Sequence, residues 1–269
     1  MPPVDPVAYA PDLARPVRAK VRTLRATMRI EPHQHPWGQV ALSTTGVIRM
    51  SARRGDDRSS TYIVPPSRAV WIPPGVEHVV TVVEDAEIRT LYIHPSARFP
   101  DDTGGGPCER WTHCRVLEAS SLLREVAGQL DTRPGDRTAS ERERCLSALA
   151  LDELKRAAPV PLGVELPADR RLRTLCDAVI EAPTRWSTLE GWAQHAGASP
   201  RTVARLFRSE LGTSFVHWRR QVLLAHALSL SARRLPMARI AAELGYASPS
   251  AFSAMVRRTL GAPPKRIFA

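Results

Sequence analysis

The 269-residue sequence predicts an α+β multidomain chain: an antiparallel β-barrel or jelly roll first, a helical segment next, and an all-α domain with two helix-turn-helix units last. Three observations carry this expectation. Short β-prone runs separated by turn signals fill residues 18–98, the hydrophobic period turns helical from about residue 116, and positive charge gathers in the last hundred residues. The boundaries they suggest are 1–110, 111–167 and 168–269.

The β-prone runs are VRAKVRTLRATM, GQVALSTTGVIRMSA, STYIVPPSRAVWIPP and HVVTVVEDAEIRTLYIHP, with RRGDD, VPP and PPG as the turns among them. Runs rich in Val, Ile, Thr and Tyr at regular spacing, without intervening helical pattern, indicate an antiparallel sandwich or barrel. PDDTGGGP (100–107) reads as a loop. Beyond it Leu122, Leu123, Val126 and Leu130 make one helical stripe, Leu146, Leu149 and Leu154 a second, and RPGD breaks them. These helices are expected to mediate dimerisation and relay. AAPVPLGVELP (157–167) reads as a proline-rich linker.

Composition narrows the class. The chain is 43% hydrophobic and 24% charged, with no apolar run long enough for a membrane span. Its proline-rich N-terminus lacks the apolar core of a secretory signal. Four cysteines at irregular spacing without a CxxC pair point to a reducing cytoplasm; Cys108, His113 and Cys114 are poorly spaced for a metal cluster. The net charge of +11 is uneven: residues 1–167 carry 22 basic and 21 acidic side chains, residues 168–269 carry 16 and 6. Such a basic block points to a polyanion, nucleic acid before membrane.

The basic block contains a repeat. WAQHAGASPRTVARLFRSELG (192–212) aligns with IAAELGYASPSAFSAMVRRTLG (240–261), Ala193 on Ala241, Gly197 on Gly245, Ser199 on Ser248 and Gly212 on Gly261, around the amphipathic pattern SFVHWRRQVLLAHALSLSARR. Each unit makes physical sense as a helix-turn-helix. A small alanine permits close helix crossing, and the glycine permits the positive φ of a tight turn. Ser199 and Ser248 are N-cap residues followed by proline at the first helical position. Val203, Leu206 and Phe207 then face inward, as do Phe252, Met255 and Val256.

With its ending LGYASPSAFSAMVRRTLGAPPKRIF, the double unit resembles the DNA-binding domain of the AraC/XylS family of bacterial transcription regulators, over about 170–268. The resemblance implies two recognition helices in successive major grooves of double-stranded operator DNA, a homodimer, an inducer and contact with RNA polymerase. The outward face of the first recognition helix offers Arg201, Thr202, Ala204 and Arg205, and arginine paired bidentately with guanine is the commonest specific contact. The second offers the small residues Ser250, Ala251, Ser253 and Ala254, suited to shape, thymine-methyl contact and anchoring rather than a strong code. Ser199, Arg208, Arg219, Ser248, Arg257, Arg258, Lys265 and Arg266 are phosphate candidates.

In the N-terminal part, EPHQHPWGQVALSTTG sets His33, His35 and Gln39 on one strand parity, and WIPPGVEH brings His78 after a PPG turn. The spacings HxH, three residues, Gln, six residues, Gly46, and then Pro73, Gly75 and His78, resemble the two motifs of the cupins. That resemblance implies a double-stranded barrel over about 20–98 and, from His33, His35, Gln39 and His78, a possible site for Zn, Ni, Fe or Cu. With Gln in place of the usual Glu the set has no anionic ligand, so the same histidines serve equally as a polar ligand pocket, walled by Trp37, Tyr62 and Trp71.

Two functions follow. One is a sequence-specific transcription regulator controlled by a small molecule or metal in the barrel. The other is a metal-dependent cupin dioxygenase or isomerase with an appended nucleic-acid domain. Glu31 and Glu77, the acids nearest the motifs, alternate away from the pocket, which disfavours catalysis.

Overall fold

A computed structural model describes residues 7–53, 59–66, 68–99, 105–135, 138–160, 163–261 and 263–268. Most of the RRGDD turn, the start of the PDDTGGGP loop, the end of RPGD, Pro161–Leu162 of the linker and the Arg266 side chain lie outside the described residues. The strands are β1 (Val17–Leu24), β2 (Arg29–His33), β3 (Gly38–Thr45), β4 (Ile48–Arg53), β5 (Ser59–Val64), β6 (Arg68–Ile72), β7 (His78–Val82), β8 (Ala86–Ile93), β9 (Arg115–Glu118), β10 (Pro159–Val160) and β11 (Gly163–Leu166). The helices are α1 (Pro107–Arg110), α2 (Ser121–Gln129), α3 (Glu141–Arg156), α4 (Arg170–Glu181), α5 (Leu189–His195), α6 (Pro200–Leu211), α7 (Phe215–Ala232), α8 (Met237–Glu243), α9 (Pro249–Leu260) and α10 (Pro264–Ile267). Two compact units result, one of residues 1–52 and 64–160, the other of 53–63 and 161–269.

In the first unit the order β1-β8-β3-β6-β9-β10 makes one antiparallel sheet, and β7 lies between β4 and β2 in the facing one. Alternation explains the second sheet: Ile48, Met50 and Ala52, like His78, Val80 and Val82, are buried while the residues between them are not. Alternation fails in β6, buried at all five positions, because this sheet is covered on its outer face as well. The cover is α2 and α3, whose Leu123, Val126, Leu130, Ala150, Leu151 and Leu154 join Val40, Leu42, Trp71 and Leu91 in one core. The helical stripes are therefore mostly spent within the unit, with Leu122 and Leu149 turned outward. Each helix is capped by serine, and Ser140 with Glu143 forms a full capping box.

Two segments differ from the sequence expectation. Val116 and Leu117 belong to β9, paired with β6, because the open sheet edge offers that segment a hydrogen-bonding partner. The proline-rich linker also becomes strand: β10 pairs with β9, and β11 pairs with β5.

In the second unit, α4–α6, α7 and α8–α10 form the all-α domain that the repeat predicts. Gly197 and Gly245 adopt φ of +63° and +76°, as the interhelical turn requires. Ser199 Oγ accepts from Thr202 N at 3.1 Å, Ser248 Oγ accepts from Ala251 N at 3.1 Å, and prolines follow both caps. The connecting helix α7 is less amphipathic than its sequence pattern suggests. Leu223, Leu224 and Ala227 pack with Ile240, Phe252 and Met255 of the second helix-turn-helix. Phe215 and Trp218 pack on Phe207 of the first, at ring separations of 5.4 and 5.6 Å. A helix gripped from both sides buries most of its circumference.

Candidate functional site

The two recognition helices present matching faces with different chemistry. On α6, Val203 and Phe207 are buried and Arg201, Arg205 and Arg208 are exposed, at i, i+4 and i+7 on the opposite side. Thr202 is half-buried, and its hydroxyl lies 2.9 Å from the Ser199 cap oxygen, so it stiffens the helix entry as well as bordering that face. On α9 the equivalent stripe is Ser250, Ala254 and Arg257, all exposed above buried Phe252, Met255 and Val256. Ala251 and Arg258 are exposed beside it, and Ser253 is half-buried. Ala254 is the positional counterpart of Arg205, at the repeat offset of 49 residues. Lys265 is exposed on α10.

Arg219 requires a correction. Its guanidinium donates to Pro183 O from Nε (3.0 Å) and Nη2 (2.7 Å), and to Ser187 O from Nη1 (3.4 Å). It is a half-buried clamp on the loop after α4, and burial lowers its affinity for a proton. A phosphate would find only the donors left over.

In the first unit the histidines do converge, by a different route from strand parity. A register shift lies between Ile30 and His33, β2 ends at His33, and a bend at Pro36–Trp37 returns the chain into β3 with Gln39. His33 pairs in register with His78. Gly75 N donates to His35 O at 2.9 Å, tying the PPG turn to the HxH segment. Ring centroids are 4.3 Å apart for His33 and His78, 5.2 Å for His35 and His78, and 6.2 Å for His33 and His35. Each Nδ1 faces a backbone carbonyl, of Glu31, Trp37 and Val76 respectively, at 2.8–2.9 Å. A carbonyl can only accept, so these contacts place the proton on Nδ1 and leave Nε2 as the acceptor.

His33, His35 and Gln39 line a cavity of about 70 Å³ together with Lys20, Arg22 and Tyr92, over an apolar floor that includes Ile48, Val80 and Ile88. Of the expected walls, Trp37 stacks on His35 from behind (5.3 Å, 7° between planes). Trp71 is instead fully buried core, donating Nε1–H to Trp111 O at 2.8 Å, and Tyr62 sits against Gly163 in the β5–β11 pair. Strand sequence does not say which sheet face meets the cavity, so the choice between wall and core is made by the fold.

Comparison with known proteins agrees with this two-part architecture. Residues 22–154 match the family described as AraC-like ligand binding domain, and residues 192–269 match a helix-turn-helix domain family. The HTH-type transcriptional regulator NimR of Escherichia coli K12 is 33% identical over 237 residues, 88% of this chain and 81% of that protein. The chain belongs to the AraC family of transcription regulators. The arabinose operon regulatory protein of the same organism is 30% identical over 114 residues, 41% of this chain and 39% of that protein. Among solved structures, an apo variant of ToxT from Vibrio cholerae aligns over 96% of this chain and 98% of its own, at 11% identity and a TM-score of 0.41.

The regulator thus pairs an N-terminal ligand-binding domain with a C-terminal DNA-binding domain. No helix among its described residues is long and apolar enough to cross a membrane. Its histidine cluster is held by internal hydrogen bonds as arranged. Among the described residues, no group of three or more His, Cys, Asp or Glu is placed to hold one. His35 Nε2 lies 2.7 Å from the atom placed as Gln39 Oε1, so two of the four expected ligands are engaged with each other. With Nδ1 protonated, that contact requires the amide NH₂ to face the ring. Lys20 and Arg22 bring positive charge to the same cavity wall. Cys108, His113 and Cys114 are not gathered either: Cys108 lies against Ile93 O, and His113 bonds to Thr112.

Burial keeps the imidazoles neutral. His78 is pushed down to about 3, by desolvation first and then by His33, and desolvation lowers His33 and His35 too. The unfolded chain takes up a proton near pH 6.5 that the folded chain refuses, so stability is complete above that pH and declines as pH falls toward 3. The expected slope is about 1.4 kcal/mol per pH unit for one such group. Urea midpoints of the regulator at pH 7.5 and 5 should show it, and a flat response would mean that the imidazoles are solvated.

Proposed function

We propose that the regulator binds its operator as a homodimer in the bacterial cytoplasm, at the nucleoid, reads bases chiefly through α6, and contacts RNA polymerase from the DNA. The observation that carries this reading is the exposed stripe Arg201–Arg205–Arg208 opposite the buried Val203 and Phe207. Long hydrogen-bonding side chains on a capped, rigid helix suit guanine edges in the major groove. Ser250, Ala251, Ser253 and Ala254 on α9 are too short for bidentate contacts and suit close approach, with Arg257, Arg258 and Lys265 on phosphates. Ligand in the barrel cavity controls this binding. Among the described residues, those on the cavity wall, which include Lys20, Arg22, His33, His35, Gln39 and Tyr92, offer no carboxylate for acid–base work, which supports sensing rather than catalysis.

Arg205→Ala should weaken operator binding by about 1–3 kcal/mol and relax preference at one base. Arg258→Ala should weaken all sequences alike and lower the salt slope by about one. Binding isotherms on operator and scrambled duplexes at several salt concentrations separate the two. Equal loss on both duplexes for Arg205→Ala would remove it from base reading.

A further inference from the structure

A polar groove of about 380 Å³ lies between the two helix-turn-helix units. One wall is the loop from α4 to α5, with Thr184, Ser187 and Thr188; the others are the N-terminal turns of α7, with Arg219 and Arg220, and the turn entering α9, with Gly245 and Tyr246. Loop and turn approach each other closely, for a Cβ on Gly245 would stand 4.0 Å from Thr184 Cγ2. Burial raises the affinity of the Tyr246 phenol for its proton, and Arg219, Arg220 and Arg258 each oppose it, so three guanidinium groups lie near this ring.

In a helix-turn-helix the second helix lies in the major groove while the first crosses the sugar–phosphate backbone. Here the α4–α5 loop leads into the first helix of one unit, and Gly245–Tyr246 leads into the second helix of the other. A duplex that places α6 and α9 in successive major grooves runs its backbone past the elements between them. Phosphate oxygens only accept hydrogen bonds, and guanidinium and hydroxyl groups supply donors.

We propose that this groove is a phosphate seat for the DNA backbone between the two recognition helices. Arg220 is its charge, the hydroxyls of Thr184, Ser187 and Thr188 are its neutral donors, and Arg219 is a positioning residue. The inference rests on the reading of the C-terminal unit as the operator-binding domain and adds a contact that joins its two halves. Arg219 acts through the loop, which its bonds to Pro183 O and Ser187 O hold in place. Trp186 braces the same loop, its ring 4.8 Å from that of Trp192 and its carbonyl accepting from Trp192 Nε1 at 2.9 Å. A phosphate held here fixes the spacing of the recognition helices along the duplex. It thereby seats α9, whose outward face is short of long side chains, without help from base contacts.

The test uses the full chain, a duplex selected by it from a random-sequence library, and an unrelated duplex of equal length. Phosphate-ethylation interference on the selected duplex should show blocking positions midway between the two protected major grooves, besides those flanking each. Arg220→Gln should lose the central positions and keep the flanking ones. It should also weaken both duplexes about tenfold and lower the salt slope by about one. Arg219→Met should diminish the central positions selectively, whereas a merely structural role would weaken all positions together. Thr184→Glu, a change at an exposed side chain, should weaken both duplexes by placing a negative charge in the seat. Circular dichroism melting of each variant checks the fold. Absence of central interference in the unaltered chain would overturn the proposal, as would its persistence in Arg220→Gln or full affinity in Thr184→Glu. A chain that selects a duplex without central interference overturns the seat alone; one that selects no duplex overturns the operator-binding reading with it.

Discussion

Trp218→Ala is expected to destabilise the C-terminal unit by about 3–5 kcal/mol, the range for removing a large buried aromatic side chain. Trp218 is 1% exposed, packs on Phe207 at 5.6 Å, and donates Nε1–H to Glu165 O at 2.8 Å. Phe207 is the buried anchor of α6, so the loss reaches the helix that carries Arg201 and Arg205. Operator affinity should therefore fall together with stability, although Trp218 itself lies in the core. Trp218→Phe keeps an aromatic ring but loses part of its volume and the bond to the Glu165 carbonyl, itself worth about 1 kcal/mol, so it should cost less than Trp218→Ala. Urea unfolding of both variants checks this, and equal midpoints for the two would deny the packing role. The same contact bears on where the DNA-binding domain begins. A fragment starting at residue 168 lacks β11 and with it the partner of Trp218, so one starting at 161 should be the more stable of the two.

Gly46→Val should be the most damaging single change in the barrel. Gly46 turns β3 into β4 with φ of +68°, and a Cβ there would stand 2.1 Å from the carbonyl oxygen of Asp85. The left-handed conformation alone costs about 1–2 kcal/mol for a residue with a side chain, and a β-branched one adds to it. The overlap falls on backbone, which cannot rotate aside as a side chain would, so the β3–β4 turn must move as well. Gly75→Ala is the control. Its φ is +72°, but a Cβ there meets nothing within 4 Å, so only the conformational cost applies. Unfolding midpoints should rank wild type, Gly75→Ala and Gly46→Val in that order. Similar losses for the two variants would mean that the Asp85 contact relaxes freely.

The comparison also explains why glycine closes the first barrel motif. The motif spacing pointed to Gly46 and Gly75 as a pair, and the structure distinguishes them: one is held by conformation and by a neighbouring backbone, the other by conformation alone. The histidines behave similarly. Their gathering was legible from spacing, whereas the bend after β2 that brings it about was not.

What the sequence determined by itself is whatever short-range chemistry controls. The helix-turn-helix repeat, its serine caps, its proline starts and its positive-φ glycines all depend on neighbours within a few residues, and each stands in the structure as read. Tertiary structure alone decided the roles that depend on what lies opposite. Val116–Leu117 and the proline-rich 157–167 segment became strands because open sheet edges supplied hydrogen-bonding partners from distant residues. Arg219 became a clamp because Pro183 O lies across from it, and Trp71 became core because α2 and α3 cover its sheet. Lys20 and Arg22 look like ordinary strand charges until the fold closes a cavity over them. Spacing along a chain encodes which way a side chain points; only packing encodes what it meets there.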